Sequence, residues 1–172
     1  MKPAIRSSLF LADRDVHFET VIHPPAYTAQ RLAKHLHISG RQVAKSVLLV
    51  GPGGYYLAVL PATHRVDFAA VGQTLGLPVR LAWREEMADR FNDCEQGTMS
   101  PFGGLYGLST LLDDSFAPDS ELVFEAQRHS LAIRMRCRDF ERVERPRRFR
   151  FALPIISATE NPKPANPPNM PR

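Results

Sequence analysis

The sequence predicts a single α+β domain: a mixed, mostly antiparallel sheet with short flanking helices. Three observations predict it. Strand-like and helix-like segments mix without regular strand–helix alternation. Residues 51–54 read Gly-Pro-Gly-Gly between two apolar, strand-forming runs, the clearest hairpin in the chain. The chain has 172 residues, 44% of them hydrophobic, which suits one domain with an ordinary core.

The elements follow in order. Residues 16–22 read as a strand ended by His23-Pro24-Pro25. Thr28 is a helix N-cap, with Ala29, Leu32, Ala33 and Leu36 on one face and Ser39-Gly40 as the breaker. The hairpin strands are 43–50 and 55–60. Asp67 caps a helix that turns Phe68, Val71 and Leu75 inward, and Gly76 and Pro78 stop it. A short strand at 79–83 and a helix at 84–91 come next, the latter aligning Met87, Ala88 and Phe91. A glycine-rich, non-periodic stretch covers 92–104. Further strands are expected at 106–112, 121–126 and 131–137, then a helical turn at 139–143. Five of the last 11 residues are proline, so 159–172 is expected to be a flexible tail and 1–158 the domain.

Composition excludes several classes. No apolar run is long enough to span a membrane, and 1–15 lacks the apolar core of a signal peptide, so the cytoplasm is the expected location. Cys94 and Cys137 form neither a disulfide framework nor a zinc pattern and read as free thiols. No P-loop, dinucleotide fingerprint, nucleophile elbow or paired-histidine zinc helix occurs. The six histidines are dispersed. Neither a cofactor nor a metal is expected.

The net charge is +4. Between Arg134 and Arg150 there are eight arginines and three acids, Asp139, Glu141 and Glu144. Such a cluster reads equally as a solvated face or as a set of phosphate contacts. Arg147 and Arg148 are its candidate phosphate-binding residues.

Two features point to chemistry. Lys45 lies within the apolar run Val43-Ala44-Lys45-Ser46-Val47-Leu48. Burying an ammonium is costly unless it is paired or used. An exposed strand start with a snorkelling stem is the plainer alternative. The second feature is Gly97-Thr98-Met99-Ser100-Pro101-Phe102-Gly103-Gly104. A loop of this composition can aim several backbone N–H groups at one carbonyl or anion, or be an ordinary turn.

These residues also carry a resemblance. His23-Pro24 with Tyr27-Thr28-Ala29, then Val43-Ala44-Lys45, then Val59-Leu60-Pro61-Ala62 before Arg65-Val66-Asp67 keep one order and spacing. With the loop from Asp93 to Gly103, Leu112-Asp113-Asp114-Ser115 and Arg138-Asp139-Phe140, they resemble the YbaK / prolyl-tRNA-synthetase-associated family of trans-editing deacylases over about 21–149. The resemblance implies an α+β editing domain. It implies hydrolysis of the ester between a wrong small amino acid and a tRNA, often the proline tRNA, with a synthetase as a possible partner. It makes Lys45, Gly97 and Pro101 the catalytic set, beside a glycine-x-x-x-proline loop. Ser46, Thr98, Met99, Ser100, Phe102, Gly103 and His129 become substrate contacts. The missing nucleophile and metal then make sense, because the substrate's own ribose hydroxyl can assist cleavage. Two rivals are an inactive tRNA-binding module of this fold and a small-ester hydrolase that never meets RNA. Relatives usually have alanine-glycine shortly before the histidine, whereas this chain has Ala126-Gln127. The added bulk and hydrogen-bonding groups bear on substrate choice and on activity.

Overall fold

A computed structural model describes residues 5–155. The expected tail, 159–172, lies outside the described residues. The chain opens with helix α1 (Arg6–Asp13), followed by β1 (Glu19–Ile22) and α2 (Ala29–His35). The hairpin is β2 (Ala44–Gly51) and β3 (Gly54–Pro61). Then come β4 (His64–Val66), α3 (Phe68–Leu75), β5 (Arg80–Leu81) and α4 (Arg84–Arg90). A 3-10 turn (Gly103–Tyr106) leads into β6 (Ser109–Asp113). The chain continues with β7 (Glu121–Arg128), β8 (Leu131–Arg136), α5 (Cys137–Glu144), β9 (Arg147–Phe149) and β10 (Ala152–Pro154).

The main sheet has the order β5-β2-β3-β6-β9. Its β2–β3 and β2–β5 pairs are antiparallel, and β3–β6 and β6–β9 are parallel. A second sheet, β1-β8-β7, is antiparallel. β4 and β10 form a small third ribbon. The expected α+β class with a mixed sheet is what the chain adopts.

Local chemistry accounts for most boundaries. Thr28 Oγ1 accepts from Arg31 N and Asp67 Oδ1 from Ala70 N, the two caps the sequence announces. Gly76, at φ +73°, ends α3 in the left-handed conformation that glycine adopts without strain. Both thiols are free: Cys137 is buried and Cys94 partly buried.

Other boundaries differ from expectation. The first strand starts at Glu19 rather than 16, because Val16 is buried against the end of α1. The strand expected at 106–112 begins only at Ser109, since Gly103–Tyr106 turn as a 3-10 helix. Helix α1 and strands β4, β9 and β10 are not visible in the sequence pattern. They are too short or too weakly periodic, and tertiary contacts hold them.

The largest buried side chains converge between the sheets. Phe102, Phe116, Phe124, Phe140 and Leu11 belong to one cluster with Ala44 and Leu112. An isolated parallel bridge, Val43 to Val123, and the bond from Val123 N to Gln42 O bring β2 next to β7. This contact makes the candidate site, because it sets Lys45 and Glu125 around one cavity.

Candidate active site

The cavity has a volume of about 220 Å³ and lies where β2, the start of α2, β7 and the 92–104 loop meet. Lys45 and Ser46 enter from β2, Gly97, Thr98 and Met99 from the loop, and Phe124 and Glu125 from β7. Tyr27 and Thr28 close the α2 side. The volume is below the ~300–1,000 Å³ of drug-sized sites, so the cavity suits a small group.

Lys45 is half-buried and has no hydrogen-bond or ion-pair partner among the described residues. Burial lowers its pKa from the usual lysine value. Its register partner on β3 is the buried Leu60, so the strand itself supplies no counter-charge.

Hydrogen bonds pin the loop at both ends. Glu95 N donates to Gln127 O (2.9 Å), and Thr98 N and Oγ1 both donate to Glu95 O (2.9 and 2.7 Å). Gly97 sits between them at φ +88°, strained for any side chain. A Cβ there would point toward His129, 3.9 Å from its Cε1. The N–H groups of Gly97 and Met99 have no partner among the described residues.

Only part of the expected loop reaches the cavity. Ser100 is fully buried, and its Oγ meets Ser7 Oγ at 2.8 Å. Phe102 is wholly buried among Phe10, Phe124 and Phe140, with ring centroids 5.1–5.6 Å apart. A Cβ on Gly103 would lie 2.3 Å from Thr110 Oγ1, so that glycine serves packing of the 3-10 turn. Ser100, Phe102 and Gly103 therefore face the core and not the cavity. Pro101 is buried behind the loop. His129 does not line the cavity but packs against residues that do, with Nδ1 2.9 Å from Ala26 O and its ring 4.7 Å from that of the exposed Tyr27.

The arginine cluster is placed otherwise than expected. Arg148 is bound by Asp114 Oδ1 (3.1 Å) and Glu141 Oε1 (3.0 Å) and by the carbonyls of Asp114 and Phe116. It clamps β9 to the β6–β7 connection and is not a free cation for phosphate. Arg147 is exposed, but its strand lies three positions from β2 in the sheet, roughly 14 Å at ~4.8 Å per strand. Exposed cations line the adjoining surfaces: Arg31 and Lys34 on α2, in a hollow that shares Thr28 and Gln30 with the cavity, and Arg84 at the start of α4. Arg84 lines a larger apolar cavity of about 560 Å³ that shares Gly97 and Met99 with the small one.

Sequence reasoning missed Glu125. It lies in the run Leu122-Val123-Phe124-Glu125-Ala126, where the signal that exposes Lys45, a charge inside an apolar strand, was equally available. Its Oε1 is buried without a partner, and its Oε2 is 3.5 Å from His129 Nδ1. Burial, with repulsion from Glu95 added, pushes its pKa up to about 8. No ion pair joins it to Lys45.

Gln127 does not fill the cavity. It occupies a bulge between Glu125 and Arg128 at φ +63°, a conformation glycine takes more easily. Its buried side chain turns away from the cavity. Oε1 accepts from Ser7 N (3.0 Å) and Ser7 Oγ (3.2 Å), and Nε2 donates to Asp93 Oδ2 (2.9 Å). Ile5, at the N-cap of α1, offers no side-chain cap, so Gln127 satisfies an N–H of the first turn from across the fold.

Among the described residues no group of three or more His, Cys, Asp or Glu is arranged to hold a metal, and no helix is long and apolar enough to cross a membrane.

Fold and cavity together define an α+β domain with a small cleft between its sheets, and comparison with known proteins gives its family. Residues 23–143 match the model of the aminoacyl-tRNA editing domain family, and the chain belongs to that family. A solved structure described as a "putative trans-editing enzyme for prolyl tRNA synthetase" is similar at a TM-score of 0.76 and 23% identity, covering 88% of this chain and 98% of that one. Another, a hypothetical protein APE2540, is similar at 0.79 and 17%, covering 86% and 99%. At these identities the likeness concerns the fold. No curated protein matches the sequence.

Proposed function

We propose that the protein hydrolyses the ester of a mischarged aminoacyl-tRNA carrying a small amino acid, with the proline tRNA as the carrier and prolyl-tRNA synthetase as the enzyme whose errors it corrects. One observation carries this reading: an unpaired Lys45 ammonium faces a small cavity that unpartnered backbone N–H groups of the loop also border. The carrier is inferred from the family and from the similar trans-editing fold.

The chemistry follows from those groups. The ester carbonyl lies between Lys45 and the N–H groups of Gly97 and Met99. A water, assisted by the substrate's ribose hydroxyl, attacks the carbonyl carbon; the tetrahedral intermediate then collapses, the bond to the esterified ribose oxygen breaks, that oxygen takes the water's proton, and the amino acid leaves as its free carboxylate. The developing oxyanion is stabilised by fixed donors in a partly dehydrated site, where they act more strongly than in water. Ser46 and Thr98 border the acyl group, and Pro101 stiffens the loop from behind. Arg31, Lys34 and Arg84 border the path of the acceptor strand better than Arg147 does. Editing is needed because one methylene separates small amino acids by only ~1–3 kcal/mol in a synthetase pocket. Gln127 lends no weight to an inactive module, since its side chain leaves the cavity open.

The test is a deacylation panel on tRNA-Pro charged with alanine, serine, threonine, cysteine or proline. Loss of one or more small non-cognate residues, blocked by excess uncharged tRNA, is expected. Failure to release any of them overturns the reading, and release without competition by tRNA assigns a small-ester hydrolase instead.

A further inference from the structure

We propose that Glu125 is the receptor for the substrate's α-ammonium group and so restricts the enzyme to esters with a free amine. This rests on the deacylase reading above and deepens it. An aminoacyl ester presents two polar groups on adjacent carbons, a carbonyl and an ammonium. The cavity presents two ionisable groups of opposite kind that do not meet, the Lys45 ammonium on β2 and the Glu125 carboxyl on β7. With the carbonyl toward Lys45 and the loop N–H groups, the neighbouring carbon places its ammonium on the Glu125 side.

The carboxylate is built for this. Oε1 is buried and has no hydrogen-bond partner, the kind of atom a protein rarely leaves unsatisfied unless a ligand completes it. Oε2 lies 3.5 Å from His129 Nδ1, and that nitrogen is held by Ala26 O at 2.9 Å while the His129 backbone N donates to Glu95 Oε2 at 2.7 Å. Glu125 thus has one oxygen beside a fixed imidazole and one without a partner. Burial keeps it protonated in the empty site near neutral pH, and an arriving ammonium supplies the counter-charge that permits ionisation. An ester with an acylated or missing amine brings no counter-charge, so the carboxyl stays protonated and the ester forgoes that contact. The consequence is selectivity by chemical class: aminoacyl esters are cleaved, while N-acylated and peptidyl esters are spared.

The test compares alanyl-tRNA with lactyl-tRNA, in which a hydroxyl replaces the amine at nearly equal size. Single-turnover rates on tRNA-Pro, each divided by the spontaneous rate, are measured for wild type and Glu125→Gln, with melting temperatures on both. Wild type should prefer the alanyl ester on the order of tenfold to a hundredfold, the span of a charge-assisted hydrogen bond. Glu125→Gln should remain folded, slow on the alanyl ester alone, and bring the two rates within roughly threefold. Equal slowing of both esters overturns the proposal and makes Glu125 a base or a structural group. No change in either rate overturns it as well. Wild type silent on both esters overturns the deacylase reading itself, an outcome distinct from the others.

Discussion

Along residues 134–150 four of the eight arginines find acids within the protein, whereas Lys45 and Glu125 border one cavity without meeting. Arg134 lies 3.8 Å from both Glu19 and Glu121, Arg138 pairs with Asp119, and Arg142 with Asp139 at 3.7 Å. Arg148 gathers two carboxylates and two carbonyls. Half of the sequence-rich cluster is therefore used internally, and Lys45 is the unpaired cation that lines the cavity. Density of charge in the sequence is a poor guide to availability. The absence of a partner is the better one.

The largest expected effect tests whether the cavity stores unfavourable charge. In the folded protein Glu125 holds its proton up to about pH 8, while in the unfolded chain an ordinary glutamate releases it near 4.5. The native state thus binds the extra proton between those values. Its contribution is fully present below about 4.5 and is lost as pH rises through 8, on the order of 4 kcal/mol in all. Lys45, Glu95, His129 and Tyr27 are the other titratable groups around it. Glu125→Gln should be less destabilised than wild type between pH 5 and pH 9 by chemical denaturation. Equal losses in the two proteins would mean the carboxyl is solvated.

Lys45→Ala is next. It should remove one charge-assisted contact to the reacting ester, lowering single-turnover deacylation tenfold to more than a hundredfold, or roughly 1.5–3 kcal/mol. Its melting temperature should hold or rise, because an unpaired half-buried ammonium disappears. Lys45→Arg should rescue only in part, since a planar guanidinium does not replace a compact ammonium. Full activity in the alanine variant would abolish the contrast drawn here.

Arg148→Ala should behave oppositely, losing roughly 2 kcal/mol of stability with its partly exposed ion pairs discounted. The salt dependence of tRNA binding should stay unchanged. Arg84→Ala should shallow that dependence by about one phosphate contact. A shallower slope in Arg148→Ala and none in Arg84→Ala would return the arginine end to the RNA.

The smallest effect concerns the loop. Gly97→Ala forces a side chain into φ +88°, a cost of about 1 kcal/mol, and points its methyl toward His129. The melting temperature should fall by a few degrees, and turnover several-fold as the loop N–H groups are displaced. Normal turnover would remove the loop from the mechanism.

Much of this protein was legible before any coordinates. The Gly51–Gly54 turn, the Thr28 and Asp67 caps, the Gly76 stop and Lys45 in its apolar strand are all local signals. Turn chemistry, capping and side-chain period act over a few residues, so the order of amino acids alone specifies them. The α+β class follows from their sum. What the order of residues could not decide is which distant groups meet. Glu19, Asp114, Asp119 and Glu121 neutralise arginines far along the chain. Phe124 and Phe140 draw Phe102 out of the expected substrate loop and into the core. Gln127 caps a helix 120 residues away. Glu125 carries the same local signal as Lys45, but its meaning comes only from the Val43–Val123 bridge that seats both on one cavity. Burial and pairing depend on where sheets pack, and a charge becomes a site only when packing leaves it without a partner.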